Sequence, residues 1–366
     1  MNHILPIQQH KPVIGITIGD INGIGAEIIL KTLADQRILE FCTPVVFGNA
    51  KVLNFYRKTI PDVQFSYTQL KDAKQPNPKQ VNVVNCWDDD VAVTPGVLND
   101  VGGKYAILSL EAAVASLKLN ELHAIVTAPF HKKNVQSNSF NYTGHTPYLQ
   151  HTFNAKGVLM LMVAHNLKVG LVTEHIPVKD VAQHLTKQLI LDKIKLMHHS
   201  LRTDFGIDKP KIAVLGLNPH AGDDGLIGKE EADLIQPAIK EAKQQHILAI
   251  GTYSADAFFA RGSYTHFDGV LAMYHDQGLI PFKSLAAGEG INYSAGLPIV
   301  RTSPDHGTAF DIAGKNCANH YSFMEALFAA IDIIKARNTY AELRANPLTK
   351  QSKRILANAV DERIEE

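Results

Sequence analysis

Short apolar runs alternate along this chain with stretches of helical periodicity, and no other feature narrows the possible folds as far. Val13-Ile14-Gly15-Ile16-Thr17-Ile18 ends in Gly19-Asp20, and Asn22-Gly23-Ile24-Gly25-Ala26-Glu27 leads into an apolar-periodic stretch, which reads as strand, glycine turn, helix. The order recurs with a strand at 45–49 before a helix at 50–57, and a helix at about 103–119 before a strand at 124–129. Weaker strands are expected at 64–67 and 81–84, on either side of a polar loop, 71–79. From residue 156 the alternation resumes with strands at 158–163 and 169–173, a helix at 178–198, a strand at 211–217, a helix at 229–244 and a strand at 269–273. The segment 307–335 reads as helical in its second half, and a further helix is expected after Ala341. Runs this apolar suit strands buried on both faces, so the pattern predicts a mostly parallel sheet covered by helices.

A chain of 366 residues, 45% hydrophobic, exceeds one minimal core, and two α/β/α domains around a cleft form the economical architecture. The 36 basic and 36 acidic residues cancel, so no global field draws the chain to nucleic acid or to an anionic membrane, and any anion must be held by a local site. No segment approaches the 18 or so consecutive apolar residues of a membrane span. Cys42, Cys86 and Cys317 fit neither a disulfide framework nor a CxxC metal site, and a reducing cytoplasm is the expected compartment. Seventeen histidines direct attention to metal binding or proton transfer.

Three of those histidines stand just after predicted strands: His175, His220 and His275. Ligands in open α/β sheets sit beyond strand ends, so these imidazoles are candidates to converge on one divalent ion, the alternative being polar loop residues beside any cleft. Lys283, Asn292 and Arg301 bracket a glycine-rich segment and suit a phosphate or carboxylate, unless the cations merely face solvent. His145 and Thr146 follow a polar loop and add a candidate substrate contact. The turn Gly19 to Gly25 is neither GxGxxG nor a P-loop, which favours a tight structural turn. The polar segment 301–314 has the length to wrap a ligand or to form a capping hinge.

Taken together and in this order, Gly19 to Glu27, Thr127-Ala128-Pro129, Tyr142-Thr143-Gly144-His145-Thr146, Leu217-Asn218-Pro219-His220-Ala221-Gly222, Tyr274-His275-Asp276-Gln277-Gly278 and Arg301 to Gly314 resemble the 4-hydroxythreonine-4-phosphate dehydrogenase family of pyridoxal phosphate biosynthesis. The resemblance implies an isocitrate/isopropylmalate dehydrogenase-like fold, with residues 1–145 plus 301–366 as a cofactor-side domain and 146–300 as the domain of metal, substrate and dimerisation. It implies oxidation of the C3 hydroxyl of 4-phosphooxy-L-threonine by NAD or NADP, followed by decarboxylation to 3-amino-2-oxopropyl phosphate. A divalent ion (zinc, magnesium, manganese or cobalt) would be held by His175, His220 and His275, one of them from the neighbouring subunit of a homodimer. That ion would hold the substrate's hydroxyl and amino groups and stabilise charge on oxygen.

Substrate contacts carry over onto His145, Thr146, Lys283, Asn292 and Arg301, and cofactor contacts onto the loop with Asp305, Gly307, Thr308 and Asn316. Asp256 matches an acidic position near the metal and is a candidate orienter or proton acceptor; Lys283 is the other candidate for a direct part in the chemistry. Ile21 and Ala26 replace prolines of the family's first motif and are expected to loosen that turn. His131 stands where some relatives carry asparagine. A same-fold dehydrogenase for a related phosphorylated hydroxy acid, such as a four-carbon sugar acid phosphate, is the alternative. A silent phosphometabolite-binding protein would be expected to lose the three histidines, which this chain keeps.

Overall fold

The computed structural model describes residues 11–61, 63–137 and 140–346. Its strands are β1 (Val13–Thr17), β2 (Thr43–Gly48), β3 (Tyr67–Leu70), β4 (Val81–Asn85), β5 (Ala124–Thr127), β6 (Leu159–Ala164), β7 (Leu167–Leu171), β8 (Lys211–Leu215), β9 (Leu248–Tyr253), β10 (Gly269–Ala272), β11 (Ile291–Ala295) and β12 (Val300–Pro304). All twelve belong to one sheet, in the order β3-β4-β2-β1-β5-β12-β11-β6-β7-β10-β8-β9. Pairing is parallel throughout both flanks, and antiparallel at β12–β11, β11–β6 and β6–β7. Those three reversals make the β7, β10 and β8 strands run opposite to β1, β5 and β12.

The expected mostly parallel α/β sheet is therefore present, and its centre departs from the expectation. Strands β11 and β12 occupy segments whose sequences, Ile-Asn-Tyr-Ser-Ala and Val-Arg-Thr-Ser-Pro, carry polar side chains into the sheet. The strand expected at 64–67 is displaced to Tyr67–Leu70, and β9 joins the edge beyond β8. The helix expected at 178–198 breaks at Leu185, and Thr186 caps a new helix, Lys187–Thr203, by accepting from the Leu189 N–H at 3.1 Å. The helix expected at 229–244 opens as a π turn, Glu231–Ile235, before Gln236–Gln244. One helix, Tyr321–Ala345, runs through the point where a separate final helix was expected to begin, and the rest of that expectation lies outside the described residues.

The first glycine turn is built by packing. Gly19 has φ +70, and a Cβ at Gly25 would stand 2.2 Å from the Ile18 carbonyl oxygen, so the following helix can start directly against β1. Ile21 and Ala26 are fully buried, and the turn is tied by the Tyr56 hydroxyl donating to the Ile21 carbonyl at 2.8 Å and the Asp20 N–H donating to Pro129 at 3.0 Å. In this chain, then, apolar packing and hydrogen bonds hold the turn.

Helix Tyr321–Ala345 covers one face of the central strands. A buried ion pair secures its second half: Arg337 Nε donates to Asp204 Oδ1 at 2.8 Å, while Tyr293, Ser200 and Thr203 hydroxyls donate to the same carboxylate. The arginine and these hydroxyls overcome burial and hold the Asp204 carboxyl below its usual range. Its contribution to stability is thus present above the ordinary aspartate pKa and lost as pH falls through the lowered value. Arg337→Met leaves this charge buried without its partner, and we expect a loss of about 3–5 kcal/mol, read from urea unfolding at pH 7.

Candidate active site

Cross-strand register places a polar patch on the face of the central sheet away from helix Tyr321–Ala345. Asn292 pairs with Ser303 across β11 and β12, and Ser294 pairs with Met160 across β11 and β6. Arg301 lies two residues before Ser303, hence on the same face. Together with Thr127 at the end of β5 and the helix His145–Thr152, these strands wall a cleft of about 520 Å³.

Arg301 is 5% exposed, and its guanidinium is held only by hydroxyls: Nε and Nη2 donate to Thr127 Oγ1 at 3.0 and 2.7 Å, and Nη1 to Ser294 Oγ at 3.2 Å. No carboxylate pairs with it among the described residues, and burial lowers its pKa to about 10, so it stays charged at neutral pH. Thr146 Oγ1 meets Ser294 Oγ at 3.3 Å. The His145 ring stacks on Phe130 with centroids 3.8 Å apart, and burial beside Arg301 pushes its pKa well down, which keeps the imidazole neutral. His145 Nε2 and Asn292 Oδ1 are buried without hydrogen-bond partners. Buried polar groups are nearly always paired, so an unpaired cation and two unpaired polar atoms lining one cleft describe a binding surface for a polar anion.

The strand-end histidines divide into two places. Strands β7, β10 and β8 are adjacent and parallel, so His175, His275 and His220 all emerge at the same sheet end. His175 and His275 face each other with ring centroids 5.9 Å apart, and His175 lines the cleft. His275 Nδ1 lies 2.7 Å from Asp276 Oδ1; this bond selects the tautomer that leaves Nε2 free as a ligand. Burial, with Lys132 nearby, lowers the His175 pKa, which favours the neutral, ligating imidazole. His220 sits apart, exposed, beside Asp256, whose carboxylate accepts from Ser254 Oγ at 2.5 Å. Among the described residues no three His, Cys, Asp or Glu side chains gather as a metal site.

Of the remaining candidates Asp305 and Gly307 line the cleft, and Lys283, Thr308 and Asn316 are not among its lining residues. Lys283 pairs with Asp305 at 3.1 Å. Gly307 lines the cleft with open space where a Cβ would stand, and His306 Nε2 is buried without a partner, a surface that a flat, polar cofactor can approach. The Thr308 carbonyl accepts from Ile24 N–H at 3.0 Å, which fastens this loop to the first glycine turn. Asn316 is exposed with φ +56. His131 Nδ1 accepts from the Lys133 N–H at 3.2 Å and so closes its own turn.

Sequence reading passed over Glu174, Lys132, Lys193 and Glu231. The first three line the cleft. Glu231 is 3% exposed and organises the His220 loop by accepting from the Leu217 and Asn218 N–H groups, both at 2.7 Å, and from Asn218 Nδ2 at 2.9 Å. It offsets the cost of left-handed backbone at His220, Ala221, Asp223 and Asp224. No local sequence pattern marks it, because its partners lie thirteen and fourteen residues earlier in the chain. Glu231→Gln should speed amide hydrogen exchange of residues 217–224 by on the order of tenfold; exchange unchanged from wild type would remove this role.

The chain is 48% identical over 346 residues to 4-hydroxythreonine-4-phosphate dehydrogenase of Bacteroides thetaiotaomicron, covering 94% of this chain and 95% of that one. A relative from Oceanobacillus iheyensis, 38% identical over 88% of this chain and 98% of its own, bears the provisional name D-threonate 4-phosphate dehydrogenase. Among solved structures, 4-hydroxythreonine-4-phosphate dehydrogenase from Klebsiella pneumoniae superposes with a TM-score of 0.78 at 33% identity, covering 88% of this chain and 98% of that one. The model of the pyridoxal phosphate biosynthetic protein PdxA family matches residues 40–330, and the chain belongs to that family.

Proposed function

We propose that the protein is an oxidoreductase that oxidises the C3 hydroxyl of 4-phosphooxy-L-threonine with NAD or NADP, the resulting 3-oxo acid losing carbon dioxide to give 3-amino-2-oxopropyl phosphate. The observation that carries this reading is the buried, carboxylate-free Arg301 lining one cleft with unpaired His145 Nε2 and Asn292 Oδ1 and with His175. Arg301, with His145, Thr146 and Asn292, would hold an anionic end of the substrate, and Lys283 would hold another. Fixing both ends leaves the middle carbons little freedom, which is how positioning lowers a barrier. The loop with Asp305, Gly307, Thr308 and Asn316 would bind the cofactor. His175 and His275 would hold a divalent ion, zinc or cobalt suiting imidazoles and magnesium or manganese also serving. When bound, that ion makes the hydroxyl more acidic and the nicotinamide accepts hydride.

His220 is exposed beside Asp256 and does not gather with His175 and His275 in one cluster among the described residues, so each would complete the site of a second copy in a homodimer, with Asp256 orienting His220 or accepting the proton. We assign 1–145 plus 301–366 to a cofactor-side unit and 146–300 to a metal- and substrate-side unit, which corresponds to the change of strand direction at the sheet centre. No helix among the described residues is long and apolar enough to cross a membrane, and the three cysteines are free, which suits a cytoplasmic enzyme. The Oceanobacillus relative favours a second reading, a 2-hydroxy rather than 2-amino phosphorylated acid as substrate. Steady-state kinetics on both compounds decides: kcat/KM higher for 4-phosphooxy-L-threonine supports the first reading, and equal or reversed preference overturns it.

A further inference from the structure

Asp20 is fully buried in the first glycine turn, and no cation pairs with it among the described residues. Burial pushes its pKa up, against hydrogen bonds from Asn134 and Asn22 and the nearby His131. A lone carboxylate taken out of water is costly, so its presence calls for a use. What it holds is part of the cleft wall. Oδ2 accepts from Asn134 Nδ2 at 2.8 Å and Oδ1 from the Asn22 N–H at 2.9 Å, while the Asp20 N–H donates to the Pro129 carbonyl at 3.0 Å. One residue therefore grips both ends of the segment 129–134, whose Pro129, Phe130 and Lys132 line the cleft. The helix Asp100–Lys118 backs the grip. Asn134 Nδ2 also donates to the Asn99 carbonyl at 2.8 Å, and Asn99 Oδ1 caps that helix by accepting from the Gly102 N–H at 2.9 Å. A side chain at Gly102 would collide with the Asp20 carboxylate, and one at Gly103 with the Asn134 carbonyl oxygen. The two glycines thus bring the helix N-terminus, whose dipole favours an anion, against the carboxylate.

Phe130 connects that grip to the anion site. Its ring stacks on His145 with centroids 3.8 Å apart, and His145 Nε2 is one of the unpaired atoms of the cleft. We infer that Asp20 is a positioning residue for the substrate: by holding the segment 129–134 at both ends it fixes Phe130, and through Phe130 the place of the His145 ring in the cleft wall. Asp20 itself does not line the cleft. The cofactor loop is tied to the same turn by a different bond, from the Ile24 N–H to the Thr308 carbonyl, in which the carboxylate has no part. Loss of the carboxylate should therefore act on the substrate and leave NAD binding alone. The inference rests on the proposed function, since it names what orients one of the substrate contacts.

The test compares wild type, Asp20→Asn, Phe130→Ala and the double variant by steady-state kinetics and by amide hydrogen exchange of the ligand-free proteins. Asp20→Asn keeps the shape of the side chain but sets an amide against the Asn134 amide. For it the expected result is a KM for 4-phosphooxy-L-threonine about tenfold higher, with kcat and the KM for NAD within about twofold. Exchange at 130–134 should be about tenfold faster. In the double variant KM should rise no further than in Phe130→Ala alone, because both changes act through one ring. If Asp20→Asn does not fold, Asn134→Ala, which leaves Asp20 and its Asn22 bond in place, takes its part with the same expectations. An unchanged KM, equal changes in kcat and in both KM values, or additive effects in the double variant overturn the positioning role and leave the proposed function standing. Failure of the wild-type protein to oxidise 4-phosphooxy-L-threonine overturns the proposed function. Exchange at 130–134 then decides whether Asp20 holds the segment, and no acceleration overturns that too.

Discussion

A His220→Asn variant is expected to lose metal-dependent turnover by on the order of a thousandfold or more while keeping its fold. Asn is the replacement of choice because His220 has φ +52, a left-handed conformation that Asn tolerates better than other residues. The side chain is exposed, so its removal opens no cavity. The more telling experiment mixes subunits. If His175 and His275 of one chain share a site with His220 of the other, a chain lacking only His220 and a chain lacking only His275 complement each other. Half the dimers in an equal mixture are then hybrids, each with one intact site, and activity returns to about a quarter of wild type. An inactive mixture of confirmed hybrids would show that all three imidazoles act from one chain, against their separation here.

Arg301→Met should have two opposite effects. Loss of the buried guanidinium removes the anion contact proposed for Arg301, and kcat/KM should fall by on the order of 10²–10⁴. Arg301→Lys should not restore it, because a point charge cannot reproduce the fork that reaches Thr127 and Ser294. The same methionine relieves a desolvated cation that no carboxylate neutralises, so the ligand-free protein should melt about 2 °C or more higher. A variant that is both inactive and less stable would mean that Arg301 serves chiefly as a structural element. The pattern expected is the trade of stability for function that binding sites display.

Much of this site was legible in the chain because strand-end position is written in apolar patterning. Val169 to Thr173, Lys211 to Leu217 and Gly269 to Met273 each announce a strand, and the residue type just beyond each is histidine. Which of the three meet is a matter of loop conformation: Pro219 to Gly225 turns left-handed under the control of buried Glu231, and no local pattern marks a glutamate that accepts from backbone fourteen residues earlier. The central strands were hidden for a related reason. In β12 the inward face carries Arg301 and Ser303, so the alternation that signals a half-buried strand is absent where the site itself replaces apolar side chains with polar ones. The sheet is least recognisable where it is most concerned with binding.

The PdxA family assignment sharpens the expected chemistry, and the unpaired groups in the cleft say which residues of this chain would perform it. The most direct test is NADH formation by the purified protein given NAD and 4-phosphooxy-L-threonine, with and without a chelator. The account predicts turnover that the chelator abolishes and an added divalent ion restores. Turnover unaffected by complete removal of metal, or no NADH at any metal occupancy, would contradict it.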